Sequence, residues 1–103
     1  METNFGKYQP HFDNTKVKRF REITNSMADL YERKNKDYGD SFGKLNNEFG
    51  EIAGLIRLSD KLNRLKMLVD STAEVNESKK DTLIDLANYA IMQLMWLEGE
   101  ENE

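Results

Sequence analysis

The sequence contains no cysteine and only one histidine, His11. The absence of cysteine excludes disulfides and thiolate metal sites, and a single histidine excludes a histidine-rich metal site within one chain. Any bound metal would need oxygen ligands, which suits Mg²⁺ or Mn²⁺. The sequence also lacks a signal peptide and an unbroken apolar run long enough for a membrane span. We therefore expect a soluble protein of the cytoplasm.

Basic residues are outnumbered in this chain, since 15 Lys and Arg stand against 19 Asp and Glu, a net charge of -4. A general nucleic-acid-binding protein usually carries a net basic surface, so this class is disfavoured. A small anionic ligand stays compatible, because a local basic row can act within an acidic chain. At 103 residues we expect one domain. A domain of this size buries only about 65% of its unfolded surface and is often completed by a partner subunit.

Apolar residues recur every three or four positions in three stretches, which predicts an all-α fold with three main helices. The first stretch ends near Lys34, the second runs from Asn47 to Val69, and the third ends near Glu98. Residues 41–47 are compatible with a short helix or with an irregular segment. A polar connection is expected over residues 70–77.

These boundaries divide the chain into three parts. Residues 1–13 form an N-terminal arm, residues 14–98 the helical domain, and residues 99–103 an acidic tail. The final helix is apolar on two sides, which a small three-helix monomer cannot easily bury. We therefore expect a small helical bundle completed as a homodimer or higher homo-oligomer.

Two rows of polar residues lie on consecutive predicted helices. Each row has the spacing i, i+4, i+7, which places three side chains on one narrow stripe. Both rows lie opposite the main apolar face of their helix, so we expect them to point outward and to be covered by another chain or by a ligand. The basic row is Arg57, Lys61 and Arg64, and the acidic-amide row is Asp81, Asp85 and Asn88.

The spacing leaves two interpretations of these rows open. Facing each other directly, the rows would form a structural ladder of ion pairs, which mimics a functional cluster. Held apart, they would form the two halves of a site for a metal-bound polyphosphate. Glu48 and Glu51 fall within the apolar face of their helix, where a carboxylate needs a metal or a basic partner.

Three blocks of sequence, in this order, resemble the phage and bacterial family called nucleotide modification associated domain 1. The resemblance covers about residues 17–97, and that family is similar to the MazG-like all-α nucleoside triphosphate pyrophosphohydrolases. Those enzymes are oligomeric helical bundles that bind Mg²⁺ through carboxylates and cleave a nucleotide between its α- and β-phosphates. The blocks are YERKNKDYG from Tyr31, RxxDKxxRL from Arg57 and DTLxDLANYA from Asp81.

The resemblance implies a role for each candidate site residue. Glu48 and Glu51 match the first carboxylate pair of the MazG-like pattern and would position metal and attacking water. Asp81 and Asp85 would complete the metal ligands, and Asp60 is a further candidate. The implied phosphate ligands are Lys34, Arg57, Lys61 and Arg64, and the implied base or sugar contacts are Tyr38, Asn88 and Tyr89.

The resemblance favours a Mg²⁺-dependent (d)NTP pyrophosphohydrolase-like enzyme of phage or bacterial nucleotide metabolism. The alternative is a non-catalytic phage protein, acting in the host cytoplasm, that sequesters a nucleotide signal or binds and inhibits a host defence protein. A third possibility is an interaction module in which both rows form only salt bridges.

Overall fold

The computed structural model describes residues 14–69 and 73–101, and these residues form four α-helices. The predicted all-α fold is confirmed, whereas the predicted N-terminal arm over residues 1–13 lies outside the described part. The helices are α1 (Thr15–Tyr38), α2 (Ser41–Phe49), α3 (Ile52–Leu68) and α4 (Ala73–Glu101). None of the described helices combines the length and apolar character needed to cross a membrane.

Two glycines separate the first three helices. Gly39 has φ 67° and Gly50 has φ 87°, a region of backbone conformation that glycine adopts far more readily than other residues. The predicted continuous helix from Asn47 to Val69 is therefore wrong, because Gly50 ends α2 before α3 begins. Asp40 caps α2, since its side chain accepts a hydrogen bond of 3.0 Å from the backbone N–H of Gly43.

Other predicted boundaries also move. The first helix continues past Lys34 to Tyr38, because Gly39 is the residue that stops it. The last helix begins at Ala73, so residues 73–77 of the expected polar connection are helical, and residues 70–72 lie outside the described part of the chain. The short helix considered for residues 41–47 is present and extends to Phe49.

Helices α3 and α4 form an antiparallel hairpin with the most extensive packing in the described part of the chain. Its direction follows from the contacts, which step backward along α4 as they step forward along α3. Gly54 lies beside Gln93, and Lys61 lies beside Asp85. Further along α3, Arg64 contacts Thr82, which is about one turn before Asp85 in α4. Helix α2 packs against both members of the hairpin, and α1 packs against α4.

One end of this hairpin is closed by a buried amide network. Asn46 of α2 donates a 2.9 Å hydrogen bond to the Gln93 side-chain oxygen and accepts one of 2.8 Å from the backbone N–H of Gly54. Gln93 in turn donates to the backbone carbonyl of Glu51 at 3.1 Å. A Cβ at residue 54 would overlap the Gln93 side chain. The network therefore fixes where α3 starts relative to α2 and α4.

The apolar faces expected to form the core are largely outside. Ile52, Leu55, Ile56 and Leu62 of α3 are exposed, and so are Leu83, Ile91 and Leu94 of α4. The expectation that the basic row points outward is wrong for Lys61, which lies against Asp85 of α4 in the seam of the hairpin, whereas Arg64 of the same row is exposed. The seam accepts these polar side chains because α4 supplies hydrogen-bond and ionic partners along it. Among the described residues, the buried apolar side chains are Met27 and Phe42.

Candidate cationic pocket

A three-residue ion-pair cluster lies where α1, α3 and α4 meet. Asp85 of α4 is half-buried and receives both Lys61 of α3, with Nζ 3.1 Å from Oδ2, and Lys34 of α1, with Nζ 3.5 Å from Oδ1. Both carboxylate oxygens therefore face an ammonium group. The cluster ties the end of α1 to the hairpin and gathers two cations around one anion.

The next turn of the seam carries a basic residue held by a hydroxyl. Arg64 Nε donates to Thr82 Oγ1 at 3.3 Å, and Thr82 donates to the backbone carbonyl of Ser78 at 2.6 Å. Thr82 is buried, whereas Arg64 is exposed. The hydroxyl thus holds the Nε of the Arg64 guanidinium, while the side chain as a whole remains exposed.

Tyr89 is the aromatic centre of the pocket. Arg57 Cζ and Lys61 Nζ each lie 5.8 Å from its ring centroid, within the range of a cation–π contact. Phe42 of α2 stacks on the same ring, with centroids 5.5 Å apart and an interplanar angle of 28°. The neighbours of Tyr89 therefore come from two other helices, Phe42 from α2 and the cations Arg57 and Lys61 from successive turns of α3.

Two adjoining cavities open on this side of the hairpin and share Arg57 and Tyr89. The first, of about 350 Å³, is lined by aromatic, amide and hydroxyl groups, and the second, of about 410 Å³, is mainly cationic. The first is lined by Tyr31, Lys34, Asn35, Gly39, Ser41, Phe42, Arg57, Asp85, Asn88, Tyr89 and Met92. The second is lined by Arg57, Asp60, Lys61, Arg64 and Tyr89.

Positive charge is in excess around the two cavities. Four cationic side chains line them against two acidic ones, an excess of two positive charges. Asp85 is paired with two lysines, while Arg57 and Arg64 make no ion pair with any described residue. These two arginines, two turns apart on one face of α3, are available to an anion entering the second cavity.

The structure brings most of the predicted substrate-binding residues into this pocket. Those that line it are Lys34, Arg57, Lys61, Arg64, Asn88 and Tyr89, and Asp85 joins them. The side chain of Tyr38 lies outside the described part of the chain. One rung of the ladder that row spacing allowed is present, the Lys61–Asp85 ion pair. Arg57 and Arg64 instead contact Tyr89 and Thr82.

The predicted metal ligands are placed differently. Glu48, at the end of α2, Glu51, just before α3, and Asp81 of α4 are all exposed. Among the described residues, no three acidic or histidine side chains come close enough together to hold a metal ion. Within one described chain, these carboxylates therefore do not fit a preformed Mg²⁺ or Mn²⁺ centre, and the oxygens of Asp85 are directed at lysines.

Sequence reasoning did not assign Tyr31, Phe42 or Thr82 to the site. Tyr31 lies one turn before Lys34, so helical spacing could have placed both on one face of α1. Thr82 shares a stripe with Tyr89 and Gln93, at spacings of seven and four, and this stripe is the one that faces α3. No helical spacing links Phe42 to the other site residues, because its position depends on the turn at Gly39 that separates α1 from α2.

The fold and the pocket together define a small all-α protein with an aromatic, cationic cavity of the kind that suits a compact anion. The family model described as nucleotide modification associated domain 1 matches residues 34–97, more than half of the chain. The chain therefore belongs to this family. No curated protein and no solved structure matches the chain.

Proposed function

We propose that this chain binds a nucleotide, with the phosphates in the second cavity and the base in the first. The observation that carries the proposal is the pair of adjoining cavities joined at Arg57 and Tyr89, one cationic and one aromatic. Membership of a nucleotide-related family supports the same ligand class.

The cationic cavity suits phosphate because Arg57 and Arg64 have no carboxylate partner among the described residues. A guanidinium can donate two parallel hydrogen bonds to phosphate oxygens, and such charge-assisted bonds are about twice as strong as neutral ones. Lys61 lies between the two arginines on the same face of α3 and adds a third cation. The excess of two positive charges would offset much of the charge of a nucleotide phosphate chain.

The first cavity suits a base because it offers aromatic surface and amide groups together. Tyr31, Phe42 and Tyr89 supply aromatic surface, and base–aromatic stacking contributes about 1–3 kcal/mol per base. Asn35 and Asn88 supply amide groups that can donate to and accept from a base edge or a sugar hydroxyl. A cavity of about 350 Å³ is within the usual size range for a small ligand.

Whether the nucleotide is retained or cleaved divides this proposal into two forms. In the first form the chain sequesters a nucleotide without cleaving it. This form agrees with the surroundings of Asp85, whose two oxygens each face a lysine instead of lying among other carboxylates that could share a metal ion. In the second form it is a (d)NTP pyrophosphohydrolase, with Mg²⁺ or Mn²⁺ brought in on the phosphates. We favour the first form and derive no hydrolytic step, because the predicted carboxylates do not converge within the described chain.

The test is mass spectrometry of the full chain incubated with a panel of nucleotides, with and without Mg²⁺ or Mn²⁺. Both the free products and the ligand retained on the protein are measured. An intact nucleotide on the protein supports retention. A monophosphate plus pyrophosphate establishes hydrolysis and overturns the favoured form. If nothing is cleaved or retained, the proposed function is wrong and the contacts in the pocket are structural.

Two arginine variants then locate the ligand. Arg57→Ala removes the side chain shared by both cavities, and we expect nucleotide affinity to fall by roughly tenfold or more, as for loss of a charge-assisted hydrogen bond. Arg33→Ala is the matched control, since Arg33 is exposed on α1 and lines neither cavity. Equal affinity of the two variants would place the nucleotide elsewhere.

A further inference from the structure

A separate cavity lies between α1 and α4, and we call it the side cleft. Its volume is about 200 Å³. It shares three lining residues, Tyr31, Asn88 and Met92, with the first cavity of the cationic pocket. The side cleft therefore adjoins the space proposed for the base and meets it along these three side chains. Its other lining residues are Thr24, Met27, Ala28, Ile91 and Met95.

Helical spacing explains why there is space between the two helices. On α1, the small residues Thr24 and Ala28 are one turn apart and lie on the same stripe as Tyr31. On α4, the facing stripe carries Met92 and Met95. Protein interiors contain few voids larger than a water molecule, because large side chains usually fill them. The small side chains of α1 leave such a space open directly beside the pocket.

The interior of the side cleft is apolar. Among the described residues that line it, none is charged. The Thr24 hydroxyl donates a 3.0 Å hydrogen bond to the backbone carbonyl of Arg21, so its donor is satisfied within α1. The other polar groups, the Asn88 amide and the Tyr31 hydroxyl, belong to residues shared with the first cavity. A hydrophobic group is therefore the kind of ligand that suits the side cleft.

Methionines make up three of the eight residues that line the side cleft. Met27 is buried, Met92 is half-buried and Met95 is exposed. Methionine side chains are flexible and polarizable, and they make favourable contacts with aromatic rings. The side cleft can therefore adapt its walls to aliphatic or aromatic groups of different shape.

The side cleft is large enough for a ring. An engineered apolar cavity of about 150 Å³ stays dry and binds benzene, and the side cleft has about 200 Å³. Another cavity beside Tyr31 and Met92 has about 180 Å³. Asp40 lines that cavity, and a carboxylate makes it less suited to an apolar group because removing a charge from water is costly.

We propose that the side cleft receives an apolar substituent on the base of the bound nucleotide. The chain then selects base-substituted nucleotides over plain ones. This inference rests on the proposed function, which puts the base in the first cavity. Asn88 lines both cavities, so a group attached to the base edge that Asn88 contacts leads into the side cleft. The added affinity comes from apolar surface that leaves water.

The test compares plain nucleotides with analogues that carry a benzyl group on the exocyclic amine of the base. Dissociation constants of the full chain are measured by calorimetry for ATP, GTP and CTP and for their N6-, N2- and N4-benzyl forms. We expect at least one benzyl analogue to bind about tenfold more tightly than its plain nucleotide, as for burial of an aromatic ring.

Two substitutions by phenylalanine locate the substituent. Ala28→Phe puts a ring into the side cleft, and we expect the benzyl and plain nucleotides to bind this variant equally well. Ala90→Phe is the matched control, because Ala90 is exposed on α4 and lines neither the pocket nor the side cleft, and it should keep the preference. Ile91→Trp fills the side cleft from α4 and should act like Ala28→Phe, so the result does not depend on one variant.

Two outcomes would overturn the proposal and leave the nucleotide site standing. The benzyl analogues could bind no more tightly than the plain nucleotides, or their preference could survive both Ala28→Phe and Ile91→Trp. If neither plain nor substituted nucleotides bind the parent chain, the proposed function itself is wrong and this inference is wrong with it.

Discussion

The two ends of the seam between α3 and α4 are both polar but differ in composition. At the closed end, Asn46 and Gln93 are buried neutral amides that bond each other and the backbone. At the open end, Lys61 and Arg64 carry charge, remain partly exposed and border a cavity. Among the described residues, no buried polar side-chain atom lacks a hydrogen-bond partner.

The difference separates polar residues that specify the fold from those available to a ligand. A buried amide must find its partners inside the protein, because an unpaired one costs about 1–3 kcal/mol. A partly exposed cation is stabilised by water, so it can exchange water for an anion at little cost to the fold. The same helical hairpin thus supplies a rigid end and an end that can bind.

The largest expected effect comes from breaking the closed end. Asn46→Ala removes two hydrogen bonds and leaves the Gly54 N–H and the Gln93 side-chain oxygen without that partner. We expect a loss of about 3 kcal/mol in the free energy of unfolding, measured by urea denaturation. Asn47→Ala is the control, since Asn47 is exposed and contacts Trp96 at the surface, and it should cost less than about 1 kcal/mol. Equal costs would contradict the distinction.

A second prediction sharpens the open end. Asp85→Asn removes the anion that pairs with Lys34 and Lys61. Because both lysines then face the pocket without competition, we expect nucleotide affinity to rise by about three- to tenfold, measured by calorimetry. Asp81→Asn, at an exposed carboxylate with no ion pair among the described residues, should change nothing.

This pair also distinguishes charge pairing from metal binding. If Asp81 and Asp85 hold an ion together, both variants lose metal-dependent activity or binding. A fall in affinity with Asp85→Asn, rather than a rise, would therefore favour the metal and contradict the assignment of Asp85 as a partner of lysines.

The smallest effect is expected where a fold residue supports a site residue. Thr82→Val keeps the volume of the buried side chain but removes the oxygen that holds Arg64 Nε. We expect nucleotide affinity to fall about twofold, because Arg64 must then lose more side-chain freedom on binding. Thr24→Val is the control, since the Thr24 hydroxyl also bonds a carbonyl of its own helix but is outside both cavities of the pocket. A larger effect of Thr24→Val would contradict this role.

Much of the site could be predicted from sequence because it depends on spacing within helices. Arg57, Lys61 and Arg64 share a face of α3 whatever the rest of the chain does. Helical spacing does not show, however, which face of α3 is buried within the chain and which is exposed. Apolar periodicity assigns Leu55 and Leu62 to a core, and it does not distinguish a core within the chain from a surface that another chain would cover.

The ends of the helices depend on backbone conformation rather than on the spacing of side chains. Gly39 and Gly50 end their helices through positive φ, and glycine in a sequence signals that freedom without showing whether it is used. The pairing of Asn46 with Gln93 spans 47 residues and depends on the resulting turn, so no local pattern predicts it. The family resemblance, by contrast, was readable from three sequence blocks and is confirmed over residues 34–97.

The bond between Trp96 and Asn47 gives the molecule a built-in optical probe. Trp96 is the sole tryptophan in the chain, and its indole N–H donates to Asn47 Oδ1 at 2.9 Å, joining α4 to α2. Its emission therefore reports separation of those helices at the closed end without any label. Tyr89, at the open end, emits at shorter wavelength, so excitation selective for tryptophan follows the rigid end while the pocket fills.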